Sequence, residues 1–302
     1  MKKRDFLTLR DLSSKEINRI LKRALEFKAG KDATKCPLIG KSVGLLFEKA
    51  STRTRVSLEV GIYQLGAKTV YMNPKEIQIG RGETIHDTAK VLSRYLDAVI
   101  IRTYRHDTLT EFAACSSVAV INGLSDLHHP CQALGDIMTI VEKKGRLKNI
   151  RLAYVGDGNN VANSLIEAAA LLGINLTLAC PKGYGPASDI LERAVMSSDS
   201  EITVVRDPRE AVQNADVVYT DVWISMGQEN EAAKKKQKFE KYQLNAGLLS
   251  LADKDAIVLH CLPAHRGEEI TGEVIDGPQS AVFDQAENRL HTQKALLEFL
   301  LT

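Results

Sequence analysis

The sequence predicts an α/β protein of two doubly wound domains, each a parallel sheet with helices on both faces, and a C-terminal helix closing the chain. Three observations predict it. Short apolar, β-branched runs alternate with stretches of helical period along most of the chain; strands joined through helices rather than tight turns run parallel. The strand runs are almost continuously apolar, as strands covered on both faces must be. The alternation pauses at a charged turn containing Gly145 and restarts at Leu152, and a length of 302 residues suits about two domains. The boundary therefore falls near residue 146, giving domains 1–146 and 147–302, with the last helix able to pack back on the first.

The elements follow in order. Ser13-Ser14-Lys15-Glu16 has the form of a capping box and opens a helix with apolar positions Ile17, Ile20, Leu21 and Leu25. Strands are expected at Ser42–Phe47, Thr69–Met72, Ala98–Ile101 and Val118–Ile121, with helices at Thr54–Leu65, Ile85–Tyr95, Leu109–Ala114 and Gln132–Lys144. The second half repeats the design without repeating the sequence. Its strands are expected at Leu152–Val155, Leu176–Ala179, Ile202–Val205, Val217–Tyr219 and Ile257–Leu259. Helices fill Val161–Leu172, Ser188–Val195 and Leu244–Leu251, and Asp284–Leu301 is an amphipathic closing helix.

Composition narrows the class. Apolar residues at 44% and charged residues at 26% are ordinary for a soluble globular chain. Net charge is only +2, and no basic stripe with interleaved aromatics points to nucleic acid. Lys234-Lys235-Lys236 with Lys238 reads as a solvated helix face. The five cysteines, Cys36, Cys115, Cys131, Cys180 and Cys261, are odd in number and show no C-x-x-C spacing, which argues against a disulfide framework or a zinc site. The basic start Met1-Lys2-Lys3-Arg4 is not followed by an apolar signal core, and no run is long enough to span a membrane. A reducing cytoplasm fits this pattern.

The polar motifs cluster where strands end, and in open α/β sheets that is where ligands sit. Phe47-Glu48-Lys49-Ala50-Ser51-Thr52-Arg53-Thr54-Arg55 follows the first strand and runs into a helix. A helix N-terminus offers free N–H groups to an anion, Ser51, Thr52 and Thr54 add hydroxyls, and Arg53 can grip two phosphate oxygens at once. A plain Ser/Thr cap beside surface arginines is the alternative. His128-His129-Pro130-Cys131-Gln132 can hydrogen-bond a small carbonyl compound or simply start a helix; no acidic or Cys partner at ligand spacing turns the histidines into a metal site. Asp221-Val222-Trp223-Ile224-Ser225-Met226-Gly227 places a carboxylate, suited to an ammonium group, in a strand-end loop, with Trp223 read as a core anchor. His260-Cys261-Leu262-Pro263 ends the Ile257 strand; its thiol is either a small buried hydrophobe or a cleft residue. Arg289, taken alone, is a surface residue.

Together these motifs resemble the aspartate/ornithine carbamoyltransferase family. Phe47–Arg55 is similar to its carbamoyl-phosphate signature and His129-Pro130-Cys131-Gln132 to its His-Pro-x-Gln signature. Asp221 with Ser225-Met226-Gly227 resembles the ornithine-binding loop, His260-Cys261-Leu262-Pro263 the closing motif of the ornithine branch, and Gln78-Ile79-Gly80-Arg81-Gly82-Glu83 the loop one subunit lends its neighbour. The motifs stand in family order and span residues 47 to 289.

The resemblance implies transfer of a carbamoyl group from carbamoyl phosphate to the side-chain amine of ornithine, without metal or organic cofactor, by a homotrimer or a multiple of trimers. It implies that Ser51, Thr52, Arg53 and Thr54 hold the phosphate, joined by Arg289 and by Gln78 of a neighbouring subunit. It places Arg102, His129 and Gln132 at the carbamoyl end, and Cys261 and Leu262 beside them and the attacking amine. Asn160, Asp221, Ser225 and Met226 are implied for ornithine, and a cis bond between Leu262 and Pro263. In the mechanism this suggests, Asp221 and Cys261 tune the amine, while Thr54, Arg102 and His129 donate toward the carbonyl oxygen, where charge develops.

Two readings from other classes are weaker. Val155-Gly156-Asp157-Gly158-Asn159-Asn160-Val161 is a Gly-rich strand-to-helix turn, as in nicotinamide enzymes. But Val161 occupies the third glycine position, and Cys180-Pro181-Lys182 offers no acid for a ribose. A non-catalytic phosphate binder is the other. Within the family, an aspartate acceptor would need basic groups facing its carboxylates, putrescine lacks what Asp221 and Asn160 would hold, and N-acyl ornithines stay open.

Overall fold

In a computed structural model of the chain, residues 3–31, 35–75, 82–224 and 232–302 are described. They form two compact units: Met1–Met138 with Glu287–Thr302, and Thr139–Ala286. The division falls within a helix rather than at the turn near residue 146. Sequence breaks mark where an element ends, not where packing changes from one core to another.

The first unit contains α1 (Ser14–Lys28), β1 (Ser42–Phe47), α2 (Thr52–Gln64), β2 (Lys68–Met72), α3 (Ile85–Tyr95), β3 (Ala98–Arg102), α4 (His106–Cys115), β4 (Ala119–Leu124) and most of α5 (Pro130–Lys144). Its sheet is parallel with order β2-β1-β3-β4. The capping box forms at α1: Ser13 Oγ accepts from Glu16 N, and the Glu16 carboxylate accepts from Ser13 N at 2.8 Å. Leu46, Val99, Ile101, Leu109, Phe112 and Val120 are among the residues of one core layer.

The second unit contains β5 (Arg151–Val155), α6 (Asn160–Leu172), β6 (Asn175–Ala179), α7 (Ser188–Met196), β7 (Ile202–Val205), α8 (Pro208–Val212), β8 (Val217–Thr220), α9 (Ala232–Phe239), α10 (Ala246–Leu249), β9 (Ile257–His260) and α11 (Gly272–Ile275). Its sheet is parallel with order β7-β6-β5-β8-β9. The last helix, α12 (Val282–Leu301), has its residues from Glu287 onward in the first unit. There Gly135 of α5 lets it approach closely: a Cβ on Gly135 would lie 3.0 Å from Arg289 Cγ.

All nine expected strands are present, with ends moved by up to three residues. α4 starts earlier than expected, at His106. The stretch Leu244–Leu251 yields only Ala246–Leu249, because Leu244 pairs instead with Ile270 in a β-bridge. α8 and α11 were not foreseen; with five and four residues, they are too short to show a clear period, whereas the helix face expected at residues 234–238 lies on α9. Among the described residues, no helix is long and apolar enough to cross a membrane.

Both strand orders reverse direction once, between β1 and β3 and between β5 and β8. At such a switch point the connections leave to opposite faces and open a crevice beyond the strand carboxyl ends. Many of the residues expected at a site fall at or near these two places.

Candidate active site

In the first unit, β1 and β3 end side by side, with Phe47 in register with Arg102. The chain leaves β1 through Glu48 and Lys49 and enters α2 with Ser51 as N-cap, whose hydroxyl accepts from Thr54 N at 3.2 Å. The N–H groups of Thr52 and Arg53 stand in the first turn, where a helix has no internal acceptors for them. The charge of Glu48 favours the Lys49 ammonium. The Glu48 carboxylate accepts from Thr103 Oγ1 at 2.6 Å and Tyr104 N at 3.0 Å.

Three cations are buried near this turn: Lys49, Arg102 and Arg289. Arg289 Nη2 donates to Thr54 Oγ1 at 2.5 Å, so the last helix is tied to the first turn of α2. Burial holds the Lys49 ammonium below its usual range, and the neighbouring Arg102 adds to the effect. Concentrated positive charge near a helix N-terminus suits an anion, and two forked guanidiniums suit phosphate or carboxylate oxygens.

His129 lies just ahead of α5 and is buried. Burial first, then the charges of Arg289 and Arg102, hold its imidazole well below the ordinary histidine range, so the ring is neutral at physiological pH. Gln132 N donates to His129 O at 3.1 Å, and Gln132 Nε2 donates to Asp136 Oδ1 at 2.8 Å. Among the described residues, the buried Gln132 Oε1 has no hydrogen-bond partner, and it can accept from an amide-like N–H. Cys131 points elsewhere. Its thiol donates to Asn122 O, and burial pushes its pKa up to about 12, which makes it an inert core residue.

In the second unit, β5, β8 and β9 end together. Asp221 follows β8 and is buried. Its Oδ2 accepts from Asn159 Nδ2 at 2.7 Å, and its Oδ1 accepts from Val222 N at 2.8 Å and from Cys261 Sγ at 2.9 Å. Asn159 caps α6, its side-chain oxygen accepting from Val161 N and Ala162 N. One asparagine therefore fixes both the helix start and the carboxylate. Leu262, next to the thiol, has φ +56°, and the Leu262–Pro263 bond is cis.

Asp221, His260 and Cys261 have ligand atoms within 4.8 Å of one another. Both imidazole nitrogens of His260 are engaged, however. Nε2 lies 3.1 Å from Glu269 Oε1, and Nδ1 accepts from Leu262 N at 2.9 Å. His260 thus braces the turn, and the cluster lacks a third lone pair for a metal.

Of the residues expected from the sequence, Ser51, Thr52, Arg53, Thr54, Arg102, His129, Gln132 and Arg289 all belong to the first unit. Arg289 is buried there, not on the surface. Asn160, Asp221, Cys261 and Leu262 belong to the second unit. Asn160 is the first residue of α6, but the bond to Asp221 comes from its neighbour Asn159. Gln78, Ser225 and Met226 lie outside the described residues. Trp223 is buried against Phe239, as a core anchor would be. The lysine run departs from expectation: Lys236 and Lys238 are exposed, but Lys235 is buried and bonded to Asp157 Oδ2 at 2.6 Å. Lys49, Asn159, Asp157 and Lys235 were not singled out. A polar residue inside a motif already chosen for its neighbours was the available signal for Lys49 and Asn159.

A helix N-terminus with three buried cations in one α/β unit suits a phosphorylated ligand, and a buried, doubly hydrogen-bonded carboxylate in the other suits an amine; these are the ligand classes of a transferase. The chain belongs to the aspartate/ornithine carbamoyltransferase family: residues 4–142 match its carbamoyl-P binding domain and residues 148–300 its Asp/Orn binding domain. Among its relatives, the ornithine carbamoyltransferase of Syntrophus aciditrophicus is 53% identical over 99% of this chain and 100% of its own length. That of Bacillus subtilis is 52% identical over 99% and 94% respectively. The solved ornithine carbamoyltransferase of Pyrococcus furiosus superposes with TM-score 0.94 at 48% identity, covering 99% of this chain and 97% of that one. The Thermus thermophilus enzyme gives TM-score 0.90 at 42% identity, covering 99% of each.

Proposed function

We propose that the protein transfers the carbamoyl group of carbamoyl phosphate to the side-chain amine of L-ornithine, giving citrulline and phosphate. The observation that carries the choice of acceptor is the buried carboxylate of Asp221, hydrogen-bonded to Cys261 and Asn159. An aspartate acceptor would bring two carboxylates toward it, and the nearby Lys235 is already engaged by Asp157. Ornithine instead brings ammonium groups. The names of the relatives point the same way.

In this reading, Ser51, Thr52, Arg53, Thr54 and Arg289 hold the phosphate, and Arg102, neutral His129 and Thr54 face the carbonyl oxygen. Gln132 Oε1 accepts from the carbamoyl amide. Asp221 and Cys261 orient the acceptor, with Asn160, Ser225, Met226 and Leu262 completing its surroundings. Free ornithine carries a protonated side-chain amine, with a pKa of about 10.4 for such a group, and must lose that proton before attack. The nitrogen lone pair then adds to the carbonyl carbon, the oxygen gains charge against its donors, the carbon–oxygen bond to phosphate breaks, and one proton of the attacking nitrogen passes to the departing phosphate. The residues named supply the charges and donors this sequence needs, so no step calls on a cofactor.

The active assembly in this reading is a homotrimer or a multiple of it, with Gln78 reaching the phosphate of an adjacent subunit. An apolar stripe supports self-association: Val56, Val60 and Tyr63 of α2 are 51%, 39% and 80% exposed, beside edge strand β2 with Val70 at 42%. The five free cysteines suit a reducing cytoplasm. Citrulline formation would serve arginine biosynthesis, and the reverse phosphorolysis its degradation. The test is an acceptor panel with carbamoyl phosphate: ornithine, aspartate, putrescine, N-acetylornithine and N-succinylornithine. Ornithine should give the dominant carbamoylated product; preference for any other acceptor overturns the reading.

A further inference from the structure

The turn from β5 to α6 carries a second buried carboxylate beside Asp221. Asp157 is 8% exposed, and its Oδ2 accepts from Lys235 Nζ at 2.6 Å. The ammonium is itself buried and lies 5.4 Å and 5.5 Å from the ring centres of Tyr184 and Phe239. Three pieces of chain meet here. Tyr154 OH donates to Asp157 O at 2.7 Å, Gly158 N donates to Tyr184 O at 2.8 Å, and a Cβ on Gly158 would fall 2.2 Å from Gly185 C. The turn that presents Asn159 to Asp221 is therefore clamped by the loop after β6 and by α9, with the ion pair as the only charged link among these contacts.

We propose that Lys235 is a positioning residue for the acceptor, cancelling the charge of Asp157 so that Asp221 alone sets the potential felt by the bound amine. This rests on the reading of ornithine as acceptor. The attacking nitrogen must be neutral. Two uncompensated carboxylates would favour its protonated form, holding ornithine well and reacting slowly. One carboxylate with its partner pair neutralised recognises a cation without trapping the nucleophile as one. The same ion pair ties α9 to the turn carrying Asn159 and Asn160.

Among the described residues, several charged and titratable groups surround Asp157, and the exposed Lys238 of α9 faces the Tyr184 ring beside Lys235 at 5.2 Å. Tyr154 comes from β5, Cys180 and Tyr184 from the end of β6 and its loop, and Arg206 from beyond β7. Asp221 follows β8, Lys235 comes from α9, and Cys261 follows β9. Burial, and the nearby charge of Asp221, push the Asp157 carboxyl up against the opposing pull of Lys235. Burial keeps the Tyr154 hydroxyl and the Cys180 thiol protonated, and the Cys261 thiol is bonded to Asp221, so the cation in contact with Asp157 is Lys235.

The test is the pH profile of kcat, which reports ionisations of the bound complex. Lys235→Met should move its ascending limb to higher pH by about one unit, the size of a nearby charge change. Lys235→Arg should keep the limb in place. Lys235→Met with Asp157→Asn, which removes both charges together, should return it to the wild-type position. Should Lys235→Met fail to fold, Asp157→Asn carries the same test with the opposite sign, a limb moved to lower pH. A purely structural staple would lower kcat in the single and double variants alike with no movement of the limb, and that result overturns the inference. Failure of the wild-type protein to carbamoylate ornithine would instead reject the underlying functional reading before any variant is compared.

Discussion

The thiol of Cys261 donates to Asp221 Oδ1 at 2.9 Å, joining the carboxyl end of β9 to that of β8. With Asn159 on the other oxygen, the carboxylate is fixed in direction while keeping acceptor capacity for a cation.

In the proposed reading this contact makes the thiol part of the acceptor site rather than packing alone. Cys261→Ala leaves Asp221 one donor short and removes one sulfur from a half-buried site. The expected result is a rise in ornithine KM and a fall in kcat, with a melting temperature close to wild type. Unchanged kinetics would return Cys261 to a packing role.

On the donor side, Arg53 stands in the first turn of α2. Arg53→Ala should remove a charge-assisted pair worth roughly 1.5–3 kcal/mol. That corresponds to roughly a 10–100-fold loss in carbamoyl-phosphate affinity. Turnover should fall too, because the phosphate is the leaving group. Near-normal binding and turnover would reject the assignment.

How much of this was legible can be judged residue by residue. The strands were readable because parallel strands buried on both faces need unbroken apolar runs, and Val99–Ile101 or Leu152–Val155 can hardly be anything else. Ser51–Thr54 and Asp221 could be singled out because they are polar residues in strand-end loops, where open α/β sheets place ligands, and the structure does put them at strand ends beside the switch points. The bond from Arg289 to Thr54 was not: the two are 235 positions apart, and an arginine on an amphipathic helix looks solvated until the packing is known. Lys235 failed for the same reason. A lysine run on a helix is usually exposed, and only the fold shows which member turns inward to Asp157.

Gly135 offers a test of how Arg289 is held. A Cβ there would meet Arg289 Cγ at 3.0 Å and Arg289 N at 3.5 Å. Helix propensity favours Gly135→Ala by about 1 kcal/mol, while overpacking costs about 1–3 kcal/mol. The two nearly offset, so stability should change little or fall slightly. The guanidinium is displaced from Thr54, so carbamoyl-phosphate affinity should fall several-fold. Calorimetric titration and thermal melts on one sample read both quantities. Unaltered affinity would show that Arg289 is not part of the anion site.

His129 makes a signed prediction for pH. Its folded state stays neutral where the unfolded chain, with a histidine pKa of about 6.5, takes up a proton. The unfolded state therefore binds more protons below that pH, and stability is lost as pH falls, by up to ~1.4 kcal/mol per pH unit for this group. His129→Gln removes the titration. Its melting temperature should drop less than that of wild type between neutral pH and mildly acidic pH. Parallel losses in the two proteins would mean that His129 is protonated in the fold.

The last prediction concerns a site shared between subunits. Gln78 lies in a polar stretch ending at Gly82, which adopts φ +100°, a backbone angle open to glycine. A loop of that composition projects well and packs into a core poorly. If it meets the phosphate of a neighbouring subunit, a site needs Arg53 from one chain and Gln78 from another. Arg53→Ala and Gln78→Ala proteins should each be nearly inactive. Unfolded and reassembled together, they should recover a fraction of wild-type activity, since some interfaces then pair an intact Arg53 with an intact Gln78. Mixed assemblies can be verified by a charge tag on one parent and ion-exchange separation. Verified mixed assemblies with no recovered activity would mean that each chain builds its own complete site.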